Sequence, residues 1–428
     1  MQSFQFTSFT FDEKTGTLLL NYACGAHVFQ EQIIFPGAPF DKARVQSMRR
    51  AFFWAHIALG ISYYKAFCPP EIEILSGLLS ETEAAFFERF YLAGLGEFAI
   101  RNGLNLQGKI HFPFGQAEKT VPVGDLKDEA YVAVGGGKDS CVTIELLKSF
   151  HPVLFSVGTA DPIEKCVHVS GLPFVQIKRT LSPVLLELNK TGTVYNGHVP
   201  ISGMIAFLSL CLALLNRKRF VVLSNERSAN AGNMSQGDLT INHQWSKSFE
   251  FEQAFYQMTQ TIAPDFRYFS LLRPLSELHI AKLFAQKCMT YHSVFTSCNK
   301  AFKLDLKKRL THWCGDCDKC RFVFLILAPF MDKEKWTFLF GSNPLNEAAQ
   351  EEGYRELLGL SGHKPFECVG EVSECRRAWA LLRRHPAWEQ DVLIQKIALE
   401  QEEGDLFQPS SVHLIPKEFQ DAFNRFTA

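Results

Sequence analysis

The chain has 428 residues, 46% hydrophobic and 21% charged, with a formal net charge of −1. That is length enough for about three domains of an ordinary globular protein. The near balance of charge argues against an electrostatic nucleic-acid binder. The longest apolar stretch, Ile201 to Leu215, contains Ser202, Gly203 and Ser209 and is too short to span a bilayer.

The N-terminal Met-Gln-Ser-Phe-Gln-Phe has no basic segment or apolar core of a secretory signal. Twelve cysteines without such a signal point to thiols and metal ligation rather than disulfides, and to a cytoplasmic location. Apolar and polar residues alternate in Phe6-Thr-Ser-Phe-Thr-Phe11 and Leu18-Leu-Leu-Asn-Tyr22, with a turn at Lys14-Thr-Gly16, which predicts a small antiparallel sheet. Asp41 to Phe67 and Ser80 to Asn102 read as amphipathic helices, the second opened by a Ser-Glu-Thr-Glu cap. Residues 1–128 are therefore expected to form an α+β domain, a candidate for substrate binding.

Tyr131 to Val134 reads as a buried strand, followed by Gly135, Gly136 and Gly137, then Lys138-Asp-Ser140 and a helical pattern. A glycine turn leading into a helix N-terminus makes an anion site, because backbone N–H groups approach the ligand and the helix dipole favours negative charge. It is not a Walker A loop, since Asp139 follows Lys138 and the glycine spacing differs; the dinucleotide fingerprint also fails. Val153 to Val157, Phe174 to Ile177 and Phe220 to Leu223 read as further strands, with a helix over Ile201 to Leu215. Strands separated by helices predict an α/β fold with a parallel sheet, whose ligands bind past the carboxyl ends of the strands. Those ends carry Gly135 to Ser140, Ser156 with Gly158, and Ser224-Asn225-Glu226-Arg227-Ser228. The α/β domain carrying this turn is placed at 129–340 and a mainly helical extension at 341–428, with helical patterns at Asn346 to Leu358 and Ser373 to Arg384.

Cys314, Cys317 and Cys320 stand at C-x2-C spacing, with Cys298 a short loop upstream. Four thiolates suit a closed tetrahedral structural zinc site, with an iron–sulfur cluster as the alternative. Cys24, Cys68, Cys166, Cys211 and Cys288 read as buried small hydrophobes.

The glycine loop resembles the signature of the PP-loop ATP pyrophosphatases, with Gly135 in place of their usual serine. The cysteine segment resembles the zinc signature of 7-cyano-7-deazaguanine synthase, which would leave about the first 125 and last 90 residues unexplained. A wider set is similar to the UDP-N-acetyl-α-D-muramoyl-L-alanyl-L-glutamate epimerases of MurL type. That set is Gly94-Leu-Gly-Glu-Phe98 with Arg101-Asn102, the Gly-Gly-Gly-Lys-Asp-Ser loop, Ser224 to Asn230, Trp313 to Phe322 and Lys364 to Glu371.

This resemblance implies an isomerase of peptidoglycan synthesis that uses ATP and Mg²⁺ to invert the terminal L-Glu of a UDP-linked muramoyl dipeptide, releasing AMP and pyrophosphate. Gly135, Gly136 and Gly137 are then expected to offer N–H groups to the phosphates, with Ser140 adding a hydroxyl. Lys138 balances phosphate charge or is a solvated helix-start lysine; Asp139 is a magnesium ligand or a cap. Ser156, Gly158, Ser224, Asn225 and Arg227 are expected around the nucleotide. Cys368, Glu367, Glu371, Glu226 and Glu97 are the candidates for moving the α-proton. The alternatives are an amide- or nitrile-forming PP-loop enzyme, a tRNA-modifying enzyme, or a nucleotide-binding module without catalysis.

Overall fold

Alternating residues at the N-terminus build β1 (Ser3–Asp12), β2 (Thr17–Cys24) and β3 (His27–Ile34). β1 and β3 both pair antiparallel to β2, with Tyr22 opposite Phe6 and Phe29, and one side-chain set is buried: Phe4, Phe6, Leu18, Leu20, Tyr22. Gly16 turns β1 into β2 at φ +70°, and a Cβ there would lie 2.5 Å from the Phe35 carbonyl oxygen, so no other residue fits. The computed structural model describes residues 3–116, 121–232, 234–236, 239–303, 306–362, 365, 367–399 and 405–428. Lys364 and Phe366 of the C-terminal motif lie outside the described residues.

α1 (Lys42–Ser47) and α2 (Arg49–Tyr64) follow, then β4 (Glu71–Ile74), α3 (Glu81–Gly94) and α4 (Gly96–Arg101). α2 is buried on every side, as expected of a helix apolar all round. The predicted cap at Ser80 is present: its Oγ accepts from Glu83 N–H, and Glu83 Oε2 accepts from Ser80 N–H at 2.7 Å.

The alternating region comprises β5 (Lys127–Ala133), α5 (Lys138–Leu147), β6 (Val153–Val157), α6 (Asp161–Ser170), β7 (Phe174–Thr180), α7 (Pro183–Thr191), α8 (Ile201–Leu215) and β8 (Lys218–Leu223). Next come β9 (Met234–Gln236), β10 (Leu239–Ile241), α9 (Phe249–Gln260), β11 (Arg267–Ser270) and α10 (Glu277–Lys287). The rest is helical: α11 (Asp318–Leu327), α12 (Lys333–Phe340), α13 (Glu351–Leu357), α14 (Val372–Leu382), α15 (Val392–Lys396) and α16 (Lys417–Thr427). Among the described residues no helix is long and apolar enough to cross a membrane.

The nine-stranded sheet is mostly parallel and has the order β11-β8-β5-β6-β7-β3-β2-β1-β4; β9 and β10 form a separate pair. The N-terminal strands pair antiparallel as expected from the sequence, but as part of this larger sheet instead of a small one of their own. Gln32, Ile33 and Ile34 of β3 pair antiparallel with Thr180, Arg179 and Lys178 of β7, which satisfies a backbone edge that β3 would otherwise expose.

The chain divides into two compact units: residues 1–131, 175–221 and 241–268, and residues 132–174, 222–240 and 269–428. The first holds a buried ion pair in which Arg179 Nε donates to Glu31 Oε1 at 2.6 Å and Arg179 Nη2 to Ser62 Oγ at 3.0 Å. Glu31 is fully buried. Arg179→Met should cost about 3–5 kcal/mol by stranding that carboxylate. Chemical denaturation measures this, and a loss below about 1 kcal/mol would show that the pair is not what compensates the burial of Glu31.

Candidate active site

β5 ends where Gly135, Gly136 and Gly137 turn the chain into α5. Gly136 has φ +78°, and a Cβ there would lie 2.8 Å from Pro162, so the close turn demands glycine. At Gly137 a Cβ would lie 2.7 Å from Ser297 Oγ, whereas the space at Gly135 is open. Thr296 N–H donates to the Gly136 carbonyl at 3.0 Å, tying the turn to the segment before the cysteines.

Gly137, in extended conformation, is the N-cap of α5, and no side chain caps this helix. Asp139 is therefore not a cap; it is the second residue of the helix, with its carboxylate bound to Lys138 Nζ. Lys138 is 1% exposed, which removes the solvated-lysine reading. Its ammonium also donates to Glu277 at the start of α10. One oxygen from each of Asp139, Glu226 and Glu277 falls in a group whose members all lie within 4.8 Å. Burial opposes charge on Lys138, but Asp139 and Glu277 outweigh it and hold the ammonium protonated. Burial pushes the Glu277 carboxyl upward, against the pull of Lys138.

Glu374 supports this arrangement from α14. Its Oε1 accepts from the Glu277 N–H and its Oε2 from the Glu371 N–H, both at 2.7 Å. Burial raises its carboxyl to about 7. Nothing in its local sequence marks Glu277 or Glu374 as part of a site. Glu371 forms the other half of a capping box at the N-terminus of α14, so its carboxylate has a structural partner.

The polar segment after β8 enters the same unit. Ser224 Oγ and Ser228 Oγ are buried with no hydrogen-bond partner among the described residues. Asn225 Nδ2 donates to Ser270 Oγ at 3.0 Å, and Arg227 Nη1 to the Gln408 carbonyl at 3.3 Å. Ser140 Oγ donates to the Gly137 carbonyl at 2.9 Å and Ser156 Oγ to the Gly158 carbonyl at 2.6 Å, so both hydroxyls close turns. Glu367 accepts from Asn299 Nδ2, and the Cys368 carbonyl accepts from Lys319 Nζ.

The cysteine spacing is realised as a four-thiol cluster. Sulfurs of Cys298, Cys314, Cys317 and Cys320 all lie within 4.8 Å of one another, Cys314 and Cys320 at 3.7 Å. A tetrahedron with bonds of about 2.3 Å puts sulfurs about 3.8 Å apart, so the donor set could hold a zinc-sized ion. Hydrogen bonds from Cys317 and Cys320 hold the Cys298 thiol down at about 3. Of the other cysteines, Cys24, Cys166, Cys211 and Cys288 are buried as expected, while Cys68 is half-buried.

A second constellation lies in the first unit. Glu97, on α4, accepts from Arg101 Nε at 2.5 Å and contacts His243 Nδ1, and His198 Nδ1 lies 3.6 Å from its Oε2. Burial opposes ionisation of Glu97, but His243, His198 and Arg101 hold its carboxyl below the usual range. His198 is pushed down to about 4 by burial and by His243. Sequence reasoning singled out Glu97 but neither histidine. The available signal was a histidine beside asparagine or glycine in Asn196-Gly-His198 and Asn242-His243, outside any periodic element.

Residues 1–271 match the MurL N-terminal domain and residues 294–410 the MurL C-terminal domain. Three curated proteins, each named UDP-N-acetyl-alpha-D-muramoyl-L-alanyl-L-glutamate epimerase, are similar to the chain. The protein from Xanthomonas oryzae pv. oryzae is 43% identical over 403 residues, 92% of this chain and 89% of its own length. That from Micromonospora sp. is 40% identical over 99% of this chain and 98% of its own. That from Salinispora tropica is 39% identical over 100% and 96%. No solved structure matches the chain. With both domains matched in order and relatives aligned nearly end to end, the chain belongs to the MurL family.

Proposed function

We propose that this chain is an epimerase that inverts the terminal L-Glu of UDP-N-acetyl-α-D-muramoyl-L-alanyl-L-glutamate in an ATP-dependent reaction. The name shared by its relatives supports the substrate. The observation that supports ATP use is the glycine turn at Gly135 to Gly137, leading into a helix whose first residues are a buried lysine and a carboxylate.

A carboxylate resists loss of its α-proton, since a second negative charge would build beside the first. ATP, when bound, supplies the AMP group that neutralises the carboxylate, with pyrophosphate leaving. In this reading the uncapped N–H groups at the start of α5 bind phosphate oxygens, and Gly135 leaves room for them. The unpartnered hydroxyls of Ser224 and Ser228 are suited to the same ligand. Asp139, Glu226 and Glu277 are a hard-oxygen set that would hold Mg²⁺, with Lys138 offsetting their charge. The four cysteines would hold a structural Zn²⁺. Cys368 and Glu367 remain candidates for proton transfer, while Glu371 is occupied as a helix cap.

The test is mass spectrometry of the dipeptide substrate incubated in D₂O with the protein, ATP and Mg²⁺. Deuterium at the terminal glutamate Cα, accompanied by AMP, is expected. Asp139→Ala should lose AMP formation by a factor of about 10² or more with folding intact. Unchanged turnover in that variant would refute the nucleotide assignment.

A further inference from the structure

Glu97, His198 and His243 converge in the first unit and are not used by the adenylating site. One donor atom from each lies within 4.8 Å of the other two. Both imidazoles turn Nδ1 to one oxygen, Glu97 Oε2, with His198 at 3.6 Å. The other oxygen is held by Arg101 Nε at 2.5 Å. The side chains are 7%, 24% and 12% exposed for Glu97, His198 and His243, so the cluster is enclosed without being sealed.

Distance decides between two uses of such a trio. A pair of bases that inverts a carbon must flank it, each about 3 Å away, so they stand roughly 6 Å apart. The two rings are 4.4 Å apart between centroids and tilted by 46°, leaving no room for a carbon between them. Nitrogen and oxygen donors around one cation, with bonds of about 2.0–2.2 Å, lie about 3–3.5 Å from one another. His198 Nδ1, 3.6 Å from Glu97 Oε2, stands near that separation, while His243 Nδ1 is hydrogen-bonded directly to the same oxygen and exchanges that contact for the cation when one binds.

We infer that Glu97, His198 and His243 form a binding site for a divalent transition cation of the Zn²⁺, Co²⁺ or Mn²⁺ class, separate from the cysteine cluster. Two imidazoles with one carboxylate suit borderline cations rather than Mg²⁺ or Ca²⁺, which prefer oxygen alone. Three protein donors leave a coordination position for water or a ligand oxygen, the arrangement of an open site. Arg101 orients the carboxylate from outside the first sphere and offsets its charge. The site therefore binds its cation less tightly than four thiolates do.

Full-length protein stripped by chelator and titrated with Co²⁺ in a large excess of Mg²⁺, which keeps the oxygen set of Asp139, Glu226 and Glu277 occupied, tests this. Two equivalents are expected: one with the near-ultraviolet charge-transfer band of thiolate ligation, and a weaker one with visible d–d bands only. His198→Ala and His243→Ala should each lose the second equivalent and keep the thiolate band, with an unchanged circular dichroism spectrum and melting curve reporting that the variant is folded. In wild-type protein, proton NMR of the fully loaded form should show two hyperfine-shifted imidazole N–H signals that vanish in D₂O. A single equivalent with all its absorption in the thiolate band, a second equivalent that survives both substitutions, or absent imidazole signals would overturn the inference.

Discussion

Lys138→Met is expected to abolish turnover and to destabilise the second unit by about 3–5 kcal/mol, the usual cost of stranding one side of a buried ion pair. Lys138 is 1% exposed and donates to both Asp139 and Glu277. Methionine keeps most of the volume but removes the cation from a group that includes a third carboxylate, Glu226. The loss should depend on pH, and its sign follows from Glu277. Burial raises that carboxyl in the folded state from 4.5 to about 8 even with Lys138 lowering it. A group whose folded pKa lies above its unfolded one stabilises at low pH and loses that contribution as pH rises through the folded value. Without Lys138 the folded value rises further. The deficit relative to wild type should therefore be small near about pH 5.5 and grow towards about pH 9. Calorimetric melting at the two pH values measures it, and an equal deficit at both would mean that packing, not charge, sets the effect.

The parts of this site readable in the sequence are those built from neighbouring residues. Gly135 to Ser140 announces itself because the turn, the helix start and the lysine lie within six positions. Val153 to Val157 and Ile201 to Leu215 are strand and helix over the predicted residues, since each is a short apolar run with turn chemistry at its ends. The cysteine cluster is legible because metal spacing is a local constraint. What was hidden depends on distant partners. Glu277 reaches Lys138 across 139 positions, and Glu374 reaches Glu277 across 97. Neither carboxylate differs in local pattern from a solvated one. Glu371 misleads for the opposite reason: its neighbourhood resembles chemistry, yet its carboxylate is spent on a capping box. The pairing of β3 with β7 sets Gln32 opposite Thr180, 148 positions along the chain, and no period within either strand encodes it.

Cys320→Ser, like chelation of the wild-type protein, is expected to lower the melting temperature by about 10 °C or more, which is some 3 kcal/mol or more for a unit of this size. Cys320 lies in the first turn of α11, just past its N-cap Cys317, and Cys298 and Cys314 complete the set. The cluster therefore joins the start of a buried helix to two irregular segments. Aromatic side chains beside the thiols carry that connection into the core. Phe295 packs on Trp313 at 5.3 Å and on Trp336 at 6.1 Å, and Phe324 of α11 stacks on Trp336 at 5.5 Å. Without a cation, four thiols hold one another only through weak S–H contacts, and the segments bearing Phe295 and Trp313 lose their anchor. A structural zinc contributes its binding free energy directly to folding, about 10–16 kcal/mol in isolated zinc-finger peptides, so losing one of four ligands removes a large share. Serine keeps the shape of cysteine and gives up the thiolate, which isolates the effect of ligation from that of packing. The check is a pair of melting curves, with and without chelator, for each protein. Wild type should shift down on chelation by much more than Cys320→Ser, which is already low. A variant that melts with the wild type, and a wild type indifferent to chelator, would show that the thiols stabilise the fold without a metal.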